Sequence, residues 1–195
     1  MIKPFEFYFD FVSPYTFLAH KEIRRIENEN SIKINYMPIL LGALLKSAGI
    51  KPNMDIPIKG KYMIKDCKLW AEKYNIEFKF NSYFPIITLN LMRCVLVAER
   101  KDFVQNFINK VFDAIWKNGL DLNNDKIVEK LLINLDINPK TFLMEATDPS
   151  IKNELEKRTD SAYKKGVFGA PSFIVNNKIF WGQDRLEFVL NEAKK

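Results

Sequence analysis

The chain has 195 residues, 47% of them hydrophobic and 28% charged. That is enough for one substantial buried core and short for two domains of ordinary size. Nine prolines and seven glycines, spread along the chain, exclude collagen-like and low-complexity polymers, and the apolar content excludes wholesale disorder. Lysine and arginine total 30 against 24 acids, a formal charge of +6. Only six of those cations are arginines, and the lysines are interleaved with acids. This balance suits a small anionic ligand or solubility better than a grip on nucleic acid.

Cys67 and Cys94 stand 27 positions apart, which matches neither a secreted disulfide framework nor a close-spaced metal motif. With a single histidine, a structural zinc site is not expected. The first ten residues contain no long apolar run or cleavage site, and Pro38 and Gly42 interrupt the apolar run 36–45. The expectation is a soluble cytoplasmic protein in a reducing compartment.

In chain order, the aromatic run 5–11 reads as a strand buried on both faces. Ser13 then caps a helix with Pro14 at its first position, and apolar residues recur at helical spacing through about Asn28. Residues 32–37 read as a second strand, so the opening is a β-α-β unit with parallel strands. From Leu40 to about Thr159 the patterns are helical, with helices predicted over 66–74, 87–99, 103–117 and 126–134. A further charged helix covers 150–165. Stops are read at 49–53, 82–85, Gly119 and Asn138-Pro139. Strand character returns at 172–176, and Asn176-Asn177 turns the chain into a short strand over 178–181. Asp184 then caps a last helix, 185–193.

Three separated places carry chemistry. Ser13 stands at a helix N-terminus, where free N–H groups and the dipole favour negative charge and can stabilise a thiolate; spacing alone favours a plain N-cap. His20 lies two turns along the same helix, about 10 Å away, too far for direct proton transfer to Ser13, and reads as structural or surface. The run Gly166-Val-Phe-Gly-Ala-Pro171 shapes the backbone before a strand. A cis Ala170–Pro171 bond there would expose the groups of Ala170 to a peptide-like ligand. Asp184, after Trp181-Gly-Gln, is either a cap or the partner of a ligand ammonium. Lys59 sits in a proline- and glycine-marked loop from which it could reach an anion. Asp66, Arg93 and Arg100 are placed for helix-surface pairs, while Trp70, Phe112 and Trp116 read as core or pocket lining.

These pieces together resemble a known family. Phe7-Tyr-Phe-Asp-Phe-Val-Ser-Pro-Tyr-Thr-Phe-Leu-Ala19, Pro57-Ile-Lys-Gly-Lys-Tyr-Met63, Val111-Phe-Asp-Ala-Ile-Trp116, Gly166-Val-Phe-Gly-Ala-Pro-Ser-Phe173 and Phe180-Trp-Gly-Gln-Asp-Arg-Leu186 look like motifs of the 2-hydroxychromene-2-carboxylate isomerases and the related kappa-class glutathione transferases. They occur in that family's order over nearly the whole chain. The resemblance implies an α/β thioredoxin-like fold of DsbA type with a large all-helical insertion. Residues 1–39 and 160–195 would form the discontinuous thioredoxin-like domain and 40–159 the insertion.

The resemblance also implies glutathione as cofactor. Ser13 would hydrogen-bond its sulfur, and Ala170, before Pro171, would pair with the cysteinyl backbone. Asp184, with Gln183 beside it, would meet the γ-glutamyl head, and Lys59 would reach the glycyl end. The implied reaction interconverts 2-hydroxychromene-2-carboxylate and trans-o-hydroxybenzylidenepyruvate through transient thiolate addition, with Ser13 as the catalytic residue. Ser13-Pro-Tyr-Thr16 holds no cysteine, so no dithiol can cycle there and the sulfur must come from outside. Two other readings stay open: a kappa-like transferase acting on electrophiles or peroxides, and a non-redox DsbA-like binding or chaperone module. The expected partners are a small aromatic or electrophilic substrate and a second copy in a homodimer, with neither nucleic acid nor membrane. One departure concerns Gly49, which is followed by Ile50 where the family often has asparagine.

Overall fold

The computed structural model describes residues 2–30, 32 and 34–195. Four strands form one sheet: β1 (Phe5–Phe9), β2 (Ile34–Pro38), β3 (Ser172–Val175) and β4 (Lys178–Trp181), in the order β2-β1-β3-β4. β1 pairs parallel with β2 and antiparallel with β3, and β3 pairs antiparallel with β4. The parallel pair needs a crossover, which α1 (Pro14–Asn30) supplies. Lys33, within the predicted second strand, lies outside the described residues.

The period-two pattern of β1 divides the core. Phe5, Phe7 and Phe9 point to one side and are at most 1% exposed. Phe7 stacks on Phe9 at 5.7 Å and on Phe173 of the neighbouring strand at 5.4 Å. Each buried phenylalanine removes on the order of 2 kcal/mol of apolar surface energy from water. Tyr8 points the opposite way, into a smaller cluster with Ile39, Leu44, Ala162 and Val167.

Between β2 and β3 the chain is helical: α2 (Leu41–Ser47), α3 (Pro57–Lys73), α4 (Leu89–Arg100), α5 (Val104–Trp116), α6 (Asp125–Ile133), α7 (Pro139–Glu145) and α8 (Pro149–Lys164). α5 carries the strongest core face. Its Phe107, Ile108, Val111, Phe112, Ile115 and Trp116 are fully buried, and the Trp116 indole N–H donates to the Phe11 carbonyl at 2.8 Å. Phe112 and Trp116 are therefore core. α9 (Leu186–Ala193) closes the chain against β3.

Several boundaries differ from the sequence reading for local reasons. Asn138-Pro139, read as a stop, is a start: the Asn138 side chain accepts from the Thr141 N–H at 3.1 Å, and Pro139 opens α7. α2 forms at the start of the stretch read as helical. Gly49, at φ +67°, ends it, with the Gly49 and Ile50 N–H groups donating back to the carbonyls of Lys46 and Leu45. The segment with the departure at Ile50 is thus a helix exit. α3 begins at Pro57, nine residues earlier than predicted, because Pro57 occupies its first turn.

Candidate active site

Ser13 does two things at the start of α1. Its Oγ accepts from the Thr16 N–H at 3.2 Å, which is the N-cap bond, and donates to the Ala170 carbonyl, also at 3.2 Å. Ser13 is 6% exposed. No acid lies in the first turn of α1, so the positive end of the helix is not neutralised by its own side chains. Thr16 is buried one turn in, and its hydroxyl has no hydrogen-bond partner among the described residues.

The Ala170–Pro171 bond is cis, and the Ser13 hydroxyl lies against the carbonyl of Ala170, 157 positions away in sequence. The approach to it is shaped locally. Gly166, at φ +90°, ends α8, and the Ser172 hydroxyl closes the loop by donating to the Gly169 carbonyl at 2.6 Å. A Cβ on Gly169 would stand 2.7 Å from the Trp181 indole nitrogen, so only glycine admits that indole.

The third segment joins through backbone. The Gly182 N–H donates to the Pro171 carbonyl at 2.9 Å, with Gly182 at φ +113°. A 3₁₀ turn, Gln183–Arg185, follows. Here the structure corrects the expected cap. α9 starts at Leu186 with no side-chain capping bond, because the turn occupies the cap position. The Asp184 carboxylate instead pairs with Arg185 at 2.8 Å and lies back over Gly182, where a Cβ would be 2.5 Å from its Oδ1. Gln183 is buried, whereas the Asp184 side chain keeps 32% exposure, so a ligand cation can reach it.

Five of the six singled-out residues, Ser13, Ala170, Pro171, Gln183 and Asp184, therefore form one run of contacts. Lys59 is the exception. It lies exposed in the first turn of α3, not in a loop, and makes no hydrogen bond or ion pair with the other five. α3 itself packs on α1, and the Tyr15 hydroxyl donates to Asp66 across that contact at 2.8 Å. Asp66 thus pairs with a neighbouring helix. Arg93 does pair along its own helix, to Asn90 at 3.2 Å, while Arg100 reaches Glu154 at 2.8 Å.

Asp10 is the residue the sequence reading missed. It is 2% exposed and accepts from the Val12 N–H at 3.1 Å, the Leu41 N–H at 2.9 Å and the Thr88 hydroxyl at 2.6 Å. Burial raises its pKa, and the three donors pull against that rise. It ties the turn before Ser13 to the starts of α2 and α4. An acid between Phe9 and Phe11, in a run otherwise destined for the core, was the available signal.

His20 is structural, as one of its two readings had it. It is fully buried, stacks on Phe112 at 4.9 Å and shares hydrogen bonds with Asn109 at 2.7 Å and Tyr36 at 3.3 Å. Burial lowers its pKa to about 3. Cys67 and Cys94 are buried free thiols whose pKa values burial raises, so neither is an activated nucleophile. No group of three or more metal-ligating side chains exists among the described residues.

Sheet order, cis proline and a capped helix start next to it define a thioredoxin-fold protein of the DsbA type in which serine and threonine stand where a redox pair needs two cysteines. A family model for the DSBA-like thioredoxin domain matches residues 5–194. The chain is 30% identical to the 2-hydroxychromene-2-carboxylate isomerase of Sphingobium xenophagum, over 97% of each chain. It is 25% identical to glutathione S-transferase kappa 1 of Homo sapiens, over 94% of this chain and 88% of the relative. The solved structure of a 2-hydroxychromene-2-carboxylate isomerase superposes with a TM-score of 0.88 at 24% identity, covering 98% of this chain and 94% of that one. The chain belongs to the 2-hydroxychromene-2-carboxylate isomerase family, related to the kappa-class glutathione transferases within the DsbA-like thioredoxin superfamily.

Proposed function

We propose that this protein is a glutathione-dependent isomerase that interconverts 2-hydroxychromene-2-carboxylate and trans-o-hydroxybenzylidenepyruvate. One observation carries the reading: a serine hydroxyl at a cysteine-free helix start, 3.2 Å from the carbonyl before a cis proline. The names of the relatives, isomerases and kappa-class transferases alike, support the same thiol chemistry.

The residues present fit glutathione. Glutathione bound there would supply a thiolate able to add reversibly to the unsaturated ring system of the substrate. Ser13 holds a donor toward that negative charge, assisted by the positive end of α1, so the anion is favoured over the neutral thiol. One hydroxyl proton then serves two acceptors in turn. When Ser13 turns it toward the sulfur, the Ala170 carbonyl is released to accept a peptide N–H of the ligand. Asp184 takes the ammonium of the γ-glutamyl head with Gln183 beside it, and Lys59 closes on the glycyl carboxylate from α3. Protein and cofactor form no covalent bond, and the gain comes from positioning and electrostatics. We take residues 40–159 as the insertion that forms the substrate wall, a second copy as the partner in a homodimer, and a reducing cytoplasmic compartment in which both buried cysteines remain thiols.

A kappa-like transferase is the second reading, supported by the likeness to the human kappa relative along most of both chains. Isomer interconversion of the chromene carboxylate, measured beside conjugation of a general electrophile, separates the two. Thiol-dependent interconversion is expected. Conjugation without interconversion would transfer the assignment to the transferase, and no saturable heat with millimolar reduced glutathione would leave a binding module.

A further inference from the structure

α3 spans both ends of the cradle. Near its middle, Asp66 receives the hydroxyl of Tyr15, two residues beyond Ser13. At its end stands Tyr74, the residue that terminates the helix. The Tyr74 hydroxyl donates to the Gln183 carbonyl at 3.3 Å, 109 positions away. Its ring is fixed by Trp70, with centroids 5.2 Å apart, and the Lys73 ammonium lies 4.4 Å from the Trp70 ring centre.

The turn that Tyr74 grips also packs against α1, and the Arg185 N–H donates to the Gly182 carbonyl at 3.2 Å. Gln183–Arg185 is a single 3₁₀ turn, and α9 begins after it without a side-chain cap. The Gly182 N–H before it donates to the Pro171 carbonyl, and the Tyr74 hydroxyl holds the Gln183 carbonyl from the end of α3. Burial, then the charges of Glu22 and Asp184, raise the pKa of Tyr74 to about 12. The hydroxyl therefore stays a donor throughout the neutral range, and Asp184 is near enough for its charge to be felt there.

We propose that Tyr74 is a positioning residue for the head-group end of the site: by holding the Gln183 carbonyl it sets where Asp184 presents its carboxylate to a γ-glutamyl ammonium. Through Tyr74 and Asp66 one helix of the insertion fastens both the sulfur end and the amino end of the ligand cradle. The inference rests on the glutathione reading and names a residue for which that reading had no role.

Tyr74→Phe removes the hydroxyl and keeps the ring on Trp70. The probes are reduced glutathione and cysteinylglycine, which carries the same thiol without the γ-glutamyl group. In the variant, the KM for glutathione is expected to rise about 3- to 10-fold, the range one neutral hydrogen bond commands. The kcat at saturation and the KM for cysteinylglycine should stay unchanged, so the preference for glutathione over the dipeptide falls by the same factor. Amide exchange at 182–185 in the ligand-free protein should quicken. An equal loss for both thiols would reduce Tyr74 to a general structural role and overturn the proposal, as would an unaltered preference. Wild-type protein that binds no glutathione would sink the functional reading and this one together, whereas wild-type binding with an unaffected variant would sink this one alone.

Discussion

Ser13→Ala separates the two jobs of one hydroxyl, and the structure sets the size of each. The substitution deletes the cap bond from Thr16, typically about 1 kcal/mol, and the bond to the Ala170 carbonyl, a net of about 1 kcal/mol. Stability should therefore fall by about 1–2 kcal/mol, a drop of roughly 2–8 °C in melting temperature for a chain of this length. Ser13→Gly should recover most of the cap contribution, since glycine is only a few tenths of a kcal/mol worse than serine at an N-cap. The chemical effect is different in kind. A hydrogen bond to a charged acceptor is worth about 1.5–3 kcal/mol, which corresponds to a rise of about 1–2 units in the pKa of bound glutathione. Both variants should show that rise when the ultraviolet thiolate band is titrated. Turnover at neutral pH should fall up to 10- to 100-fold and recover as the pH is raised by the same interval. If the thiolate band titrates unchanged while stability drops as calculated, Ser13 is a cap and nothing more.

Asp184→Ala should weaken glutathione binding about 10-fold or more in calorimetry, because a charge-assisted contact is lost, while kcat at saturating glutathione holds. A fall in kcat with affinity intact would remove the head-group role. His20 supplies a pH prediction. Its folded pKa is depressed to about 3 from 6.5, so above pH 6.5 both states are neutral and nothing is lost. As pH falls through the window between these values the unfolded chain takes up the proton first, and stability declines by up to about 1.4 kcal/mol per unit. As the chain's one histidine, it can be followed by its ring proton shift, which should stay flat from pH 8 to 5 in the native state; a midpoint near 6.5 would contradict its burial.

Much of the architecture was legible in the sequence because its signals are local. The aromatic run at 5–11 reads as a strand buried on both faces, as Phe5, Phe7 and Phe9 on one side and Tyr8 on the other are, and Ser13-Pro14 opens a helix by satisfying or lacking the N–H groups that such a start leaves free. The Asn176-Asn177 turn is visible for the same reason: both residues adopt positive φ, 49° and 60°, which asparagine tolerates. The errors were local too. Asn138-Pro139 and Pro57 are helix openers as much as breakers, and the dipeptide alone does not say which side the helix is on.

What tertiary structure decided is which groups meet. Sequence alone set a capped, cysteine-free helix start at Ser13, a glycine-shaped approach to Pro171 and an acid at Asp184. It contained nothing that put the Ser13 hydroxyl on the Ala170 carbonyl, the Gly182 N–H on the Pro171 carbonyl, or Tyr74 on Gln183. Nor did it show that the carboxylate of Asp10 would be enclosed by donors from three segments. Turns and caps depend on energies between residues a few positions apart, which a short window of sequence displays. Contacts between separate elements, as far apart as the 157 positions from Ser13 to Ala170, exist only once the sheet and the helices around it have packed.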